Sequence, residues 1–323
     1  MATLLPISTV IPTRDRCATL ARVFHSVGAQ SAQPVEIVVV DASASNETAA
    51  LCEKTIPGLQ SRVIYHRAIM AGAIEQRNQA MSYATQDSIL FMDDDIVLEP
   101  ECVLRLWEAL NGDQSIGGVN AMITNQRYFP PGTVSRTLFR ILHGRHEPSY
   151  AGKCIGPACN LLPEDRDDLP EVVEVEWLNT TCTLYRRQAM PNPPFISEQV
   201  GKNLKLPSFP MEDLALSLMV RKKWRLANAR TARIFHDSQP GVHKANAGVL
   251  SRLELLNRHY LMTRILERYR LRDYLKLALF QAFGVTSPLT RLAAWRSLPP
   301  VLLGRAAAIR DIVFSSGNSN GQE

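Results

Sequence analysis

Residues 88–100 read SILFMDDDIVLEP, a short apolar run that stops at three consecutive aspartates. An unbroken apolar stretch of this length, bounded by turn-forming residues, predicts a strand over Ser88–Met92 that is buried on both faces. The same pattern occurs twice upstream. Leu5–Ile11 runs into Pro12-Thr13-Arg14-Asp15-Arg16, and Val35–Val40 (VEIVVV) runs into Asp41-Ala42-Ser43. Helical spacing fills the intervals at Thr19–Gly28, from Glu47, and at Ala71–Ala84, while Arg62–Tyr65 supplies a third short strand. This β-α-β order predicts an α/β fold, a mainly parallel sheet with helices on both faces. Ligands of such sheets gather at the carboxyl ends of the strands, where these polar residues converge.

Farther along, Gly117–Thr124 and Val172–Leu178 have strand character, Glu212–Lys222 is helical, and Leu226–His236 reads as short closing strands. Gln126–Pro170, rich in Pro, Gly and mixed charge, reads as a long loop or insertion. From about His243 the chain is helical, basic and rich in Leu, ending in a polar tail at Ser315–Glu323 that is expected to fray.

The chain has 323 residues, 46% hydrophobic and 21% charged, which is enough apolar surface for a folded α/β unit and excludes global disorder. A net charge of +5 is too mild to argue for nucleic acid. Its distribution is uneven. Lys244–Arg310 holds twelve basic and three acidic residues, a local surplus of nine that leaves the remainder at −4. The six cysteines contain no C-x-x-C pair and read as reduced thiols, with a zinc or Cys154–Cys159 redox site as the alternative. The N-terminus lacks the basic start and cleavage pattern of a signal peptide, and no apolar run reaches the ~20 residues of a spanning helix. A cytoplasmic protein is expected.

Three adjacent aspartates behind a buried strand repel one another unless a cation sits among them. Carboxylate donors without paired cysteines suit Mg²⁺ or Mn²⁺, with substrate phosphate oxygens completing the shell. The plainer alternative is that Asp94 or Asp95 caps the helix beginning near Pro100.

The succession STVIPTRDR, VEIVVVDASASNET, AGAIEQRNQAM and SILFMDDDIVLEP resembles the donor half of the family-2 glycosyltransferases, inverting nucleotide-sugar enzymes of the GT-A fold. EVEWLNTTCTLYRR, FPMEDLALSLMVRKKWRL and ARIFHD follow in the order of that family's acceptor half. The resemblance spans about residues 5–240. It implies a nucleotide-sugar-binding half over 1–100, an acceptor-binding half over 101–241 and a basic helical extension over 242–323.

By resemblance, Pro12, Thr13, Arg14, Asp41, Arg77, Asp93 and Asp94 hold the nucleotide-sugar, with Asn78 beside Arg77. Asp93 and Asp95 are the outer residues of the D-x-D motif, and Asp95, Asp93 and His236 would bind Mn²⁺ or Mg²⁺. Asp213 would be the catalytic base, and Glu212 and Trp177 would line the sugar or acceptor pocket. Each has an ordinary alternative. Glu212 and Asp213 can cap their helix, His236 can be a hydrogen-bonded core residue, Trp177 can be core, and Arg14 and Arg16 can be solvated loop charges. In place of the Gly-Gly-Asn-like loop that the family often has, this chain has Asn179-Thr180-Thr181, and the Q-x-x-R-W signature of processive synthases is missing.

The implied reaction is transfer of one sugar, from a UDP-sugar by the family's preference, to an acceptor hydroxyl on a glycan or lipid-linked precursor of a cell-surface polysaccharide. The carboxylates make chemical sense of it. Sugar–phosphate cleavage builds negative charge on the leaving diphosphate, which a metal stabilises, while the acceptor hydroxyl needs a base. Two other readings compete: a nucleotidyltransferase, which would open with a glycine-rich phosphate loop where this chain has PTRDR, and a non-enzymatic nucleotide-binding scaffold. The basic helices Leu250–Tyr269 and Tyr274–Phe283 would either lie on an anionic membrane surface, giving a peripheral location at its inner face, or cover the catalytic lobe with their arginines outward.

Overall fold

The computed structural model describes residues 2–157, 159–196, 211–238, 246–286 and 298–317. Its strands are β1 (Thr3–Thr13), β2 (Ala32–Asp41), β3 (Arg62–Arg67), β4 (Ser88–Met92), β5 (Ile96–Leu98), β6 (Ile116–Ile123), β7 (Cys154–Ile155), β8 (Cys159–Asn160), β9 (Val172–Val175), β10 (Cys182–Arg186) and β11 (Arg225–His236). The helices are α1 (Cys17–Gly28), α2 (Glu47–Glu53), α3 (Ala73–Met81), α4 (Cys102–Gly112), α5 (Thr133–His143), α6 (Glu212–Val220), α7 (Ala247–Tyr260), α8 (Leu271–Thr286) and α9 (Leu298–Gly317).

Nine strands form one sheet in the order β3-β2-β1-β4-β10-β6-β11-β5, with β9 also paired to β11. β3, β2, β1 and β4 are mutually parallel, as their crossover helices require. β10 runs antiparallel between β4 and β6. It escapes sequence reading because CTLYR has little alternation: four of its five residues are buried, since both of its edges are paired and both faces covered. The expected short strands of the second half are one twelve-residue strand, β11, which pairs with β6, β9 and β5 in turn. The expected loop at 126–170 contains α5 and the β7–β8 ribbon. Its weak periodicity reflects the small apolar face of α5, where only Leu138 and Leu142 are buried.

One core lies between the sheet and α1 and α4; Leu20, Val23, Phe24 and Val27 present a single face of α1 to it. The other lies beneath α3, α6 and α7. At its centre Phe91 is fully buried, edge-on to Phe195 and Tyr185 with ring centroids 5.0 and 6.1 Å away. Phe91→Ala would cost about 3–5 kcal/mol.

The C-terminal helices pack on one another as well as on the sheet. A Cβ at Gly304 of α9 would stand 2.1 Å from the Gly248 carbonyl oxygen of α7, so glycine alone permits this crossing. Arg258 of α7 lies over the Phe280 ring of α8, and Arg305 of α9 donates to the Gln281 carbonyl of α8. The expected helix at Leu250–Tyr269 ends early, because a π-turn at Leu261–Ile265 breaks the i→i−4 ladder. Most of the tail at 315–323 lies outside the described residues. No described helix is long and apolar enough to cross a membrane.

Candidate active site

β1, β2 and β4 end side by side, and Gln76 of α3 fixes the first two ends by donating to the Thr13 and Val40 carbonyls at 2.8 and 2.7 Å. Beyond β4, the Asp93 N–H donates to the Thr181 carbonyl at 3.0 Å, so the Asn179-Thr180-Thr181 loop sets where the acid cluster begins. The three aspartates then diverge. Asp94 accepts from Thr13 Oγ1 at 2.7 Å, Asp93 accepts from Arg77 Nη2 at 2.7 Å, and Asp95 lies 3.2 Å from His236 Nε2. The α4 N-terminus has no side-chain cap, so helix capping does not account for Asp94 or Asp95.

Arg16 closes the cluster, its Nη1 lying 3.0 Å from Asp94 Oδ1 and 3.1 Å from Asp95 Oδ2. Burial opposes its charge, but Asp94, Asp95 and Asp93 outweigh that and hold its pKa above the ordinary value. Asp94 is raised because burial prevails over Thr13 and Arg16. Arg14 points elsewhere; it is exposed and its nearest acid is Asp15 at 3.6 Å. Of the two loop arginines the structure therefore brings Arg16 to the cluster, and the signal was available in the sequence. Arg16 immediately precedes α1, which starts at Cys17 and anchors the end of the loop.

Asp93, Asp95 and His236 offer three ligand atoms within 4.8 Å of one another. Two carboxylate oxygens and one imidazole nitrogen suit Mn²⁺ or Mg²⁺, leaving further positions for water and phosphate oxygens. The pairing His236↔Ile96 and Ile234↔Leu98 between β11 and β5 delivers the histidine to the acids. Gln126 Nε2 lies 3.2 Å from His236 Nδ1 and orients the ring from behind.

On the opposite side of Arg77, its Nη1 lies 3.3 Å from Glu212 Oε1. This side chain is 4% exposed and carries one positive charge shared by two carboxylates, one behind β4 and one at the head of α6. Arg77 thus links the first aspartate of the D-x-D motif to the Glu212–Asp213 pair. Burial raises Glu212 despite Arg77, and burial followed by the adjacent Glu212 pushes Asp213 up to about 7. Asp213 keeps part of its surface open to solvent, so it can still exchange a proton. The two carboxyls titrate as a coupled pair.

Other expected site residues have structural duties. Asp41 is fully buried and accepts from the Ser43 N–H, Ser43 Oγ and Tyr65 OH, which shapes the loop after β2. Asn78 exchanges hydrogen bonds with the Phe195 backbone at 2.8 and 3.1 Å. Trp177 is 6% exposed, packs in the second core and donates Nε1–H to the Leu161 carbonyl at 2.7 Å. Pro12 lies in the buried end of β1 beside Thr13, paired with Val40. The cysteines are free; burial raises the thiols of Cys154 and Cys159, which keeps both neutral.

Residues 8–156 match the family model of glycosyl transferase family 2. Over these residues the chain is similar to that family. Among curated relatives, a PGL/p-HBAD biosynthesis glycosyltransferase from Mycobacterium bovis (strain BCG / Pasteur 1173P2) is 29% identical over 138 residues, covering 41% of this chain and 54% of the relative. Its counterpart from Mycobacterium tuberculosis (strain ATCC 25177 / H37Ra) matches to the same extent. The chain spans about half the length of the curated relatives it matches. Among solved structures, S. aureus TarS residues 1–349 in complex with UDP-GlcNAc superposes with a TM-score of 0.56 at 14% identity, covering 95% of this chain and 81% of that one. A mannosyltransferase from Pyrobaculum calidifontis in complex with GDP-Man and Mn²⁺ superposes with a TM-score of 0.50 at 13% identity, covering 97% and 79%. The fold of this chain is of the GT-A type.

Proposed function

We propose that this chain transfers a single sugar from a nucleotide-sugar, UDP-linked by the family's preference, to an acceptor hydroxyl with inversion at the anomeric carbon. The observation that supports the reading is Arg77 paired with both Asp93 and Glu212, which brings the acid cluster and the neighbour of the proposed base to one guanidinium.

Thr13 and Asp94 form the floor at the end of β1 and receive the nucleoside end of the donor. Arg16, and Arg77 behind Asp93, supply fixed positive charge where the diphosphate lies. Asp93, Asp95 and His236 would hold Mn²⁺ or Mg²⁺, which when bound neutralises the leaving diphosphate without proton transfer. Asp213 accepts the acceptor hydroxyl's proton; a carboxyl raised to about 7 is still largely ionised above that pH and is a stronger base than an ordinary aspartate. Glu212 holds the sugar or acceptor beside it, and Trp177 braces the wall from the core. A single displacement follows from one base facing one leaving group.

The acceptor is a glycan or lipid-linked precursor of a cell-surface polysaccharide. The basic C-terminal helices bring the enzyme to an anionic membrane surface, supported by their charge surplus and by the exposure of Leu271, Leu275 and Leu303.

The test is donor hydrolysis across UDP-, GDP- and TDP-sugars with and without Mn²⁺. One donor is expected to leak to water in a metal-dependent way that Asp95→Asn abolishes. Failure of every nucleotide-sugar to bind or hydrolyse would overturn the reading.

A further inference from the structure

The turn joining α7 to α8 wraps a cavity of about 420 Å³ whose wall includes Arg268, Arg270, Arg272 and Lys276. Its two acids, Glu267 and Asp273, offset only part of that charge. Glu267 pairs with Lys222 at 3.3 Å, and Asp273 accepts the Arg270 backbone N–H at 3.1 Å. Lys276 Nζ and Arg268 Nη1 reach only neutral carbonyls, those of Leu142 at 2.9 Å and Gly156 at 3.2 Å. Arg270 and Arg272 have no ion-pair partner among the described residues. The cavity therefore keeps a positive surplus, four cationic side chains against two carboxylates, which favours holding an anion.

The surface beside it is apolar. Leu271, Leu275 and Leu279 stand at i, i+4 and i+8 on α8 and are 75, 60 and 41% exposed, with Tyr269 at 58%. The next helix, α9, held to α8 through Arg305, leaves Leu303, Ile309, Val313 and Phe314 more than half exposed. A free phosphate compound would use the cationic cavity and leave this stripe in water. A protein partner would have no need of a concave cationic site at its edge. One ligand class uses both features.

We propose that the α7–α8 turn is a headgroup site for an anionic phospholipid, its phosphate held among Arg268, Arg270, Arg272 and Lys276 and its acyl chains lying along Leu271, Leu275 and Leu279. This rests on the membrane reading above and gives it a specific site. The cavity shares no lining residue with the acid cluster, and none of its residues is assigned to the reaction.

The full chain is floated with vesicles of phosphatidylcholine alone and of phosphatidylcholine mixed with phosphatidylglycerol. The wild type is expected to rise only with the mixed vesicles. Arg270→Glu/Arg272→Glu should lose more than about tenfold of that partitioning, and Leu271→Ser/Leu275→Ser should weaken it as well. Lys54→Glu/Arg136→Glu, an equal charge change elsewhere, should retain it. Thermal transitions and binding of UDP with Mn²⁺ verify that each variant is folded. If the wild type stays unbound, the membrane reading and this site both fail. If it floats but the paired arginine reversal floats as the control does, the membrane reading stands and this site is wrong. Saturable binding of inorganic phosphate at the turn without flotation would assign the cavity to a soluble phosphate and equally overturn the proposal.

Discussion

His236 Nε2 lies 3.2 Å from Asp95 Oδ1, so the last residue of β11 meets the acid loop behind β4. The contact exists because β5, only three residues long, pairs antiparallel with the end of β11 directly after the aspartates. If these atoms hold a metal, each must contribute. His236→Ala and Asp95→Asn are both expected to weaken Mn²⁺ binding in the presence of UDP by at least about tenfold. Calorimetric titration checks this, and His236→Gln should recover part of the His236→Ala loss.

Arg16 occupies the cation-seeking side of the same acids. Arg16→Ala should lower metal-free stability by about 1 kcal/mol, a modest value because the guanidinium is 36% exposed. The thermal gain on adding Mn²⁺ should then be larger in the variant than in the wild type, since the metal no longer competes with an internal cation. Equal gains would remove Arg16 from the cluster's electrostatics.

If Asp213 is the base, it sets the pH dependence of transfer. Its carboxyl is raised to about 7, so the base form is scarce well below that pH and accumulates above it. Transfer rate at saturating substrates should rise with pH through about 7 and then level off. Glu212→Gln removes the neighbouring negative charge that helps to raise Asp213, so the ascending limb should move to lower pH. An unmoved limb would show that another group titrates.

Arg77 is 4% exposed and serves two carboxylates, so Arg77→Met leaves both Asp93 and Glu212 without their cation. A loss of about 3–5 kcal/mol is expected from denaturant unfolding, as for a buried charge deprived of its partner. Mn²⁺ with UDP should restore part of it through Asp93 alone.

Most of the donor half was legible because β1, β2 and β4 carry buried apolar runs that end in polar residues; every residue of Ser88–Met92 is buried, as its apolar run required. The aspartates were legible as a charge problem in need of a cation. What pattern could not give were contacts across distant segments: Arg16 on Asp94 and Asp95, and Arg77 joined to Glu212. β10 and β5 were hidden for different reasons, one because CTLYR lacks alternation, four of its five residues being buried, the other because three residues carry no period. The surplus of cations at the α7–α8 turn was visible only as composition, since which side chains share one cavity depends on the fold.

The account stands on one cleft in which a metal-held diphosphate faces the Asp213 carboxylate. Paramagnetic resonance of Mn²⁺ with UDP, measured beside sugar transfer on the same Asp213→Asn preparation, tests it most directly. The account predicts that the variant immobilises Mn²⁺ and UDP as the wild type does while transfer falls by about 10²–10⁴-fold. Wild-type turnover by Asp213→Asn would contradict it.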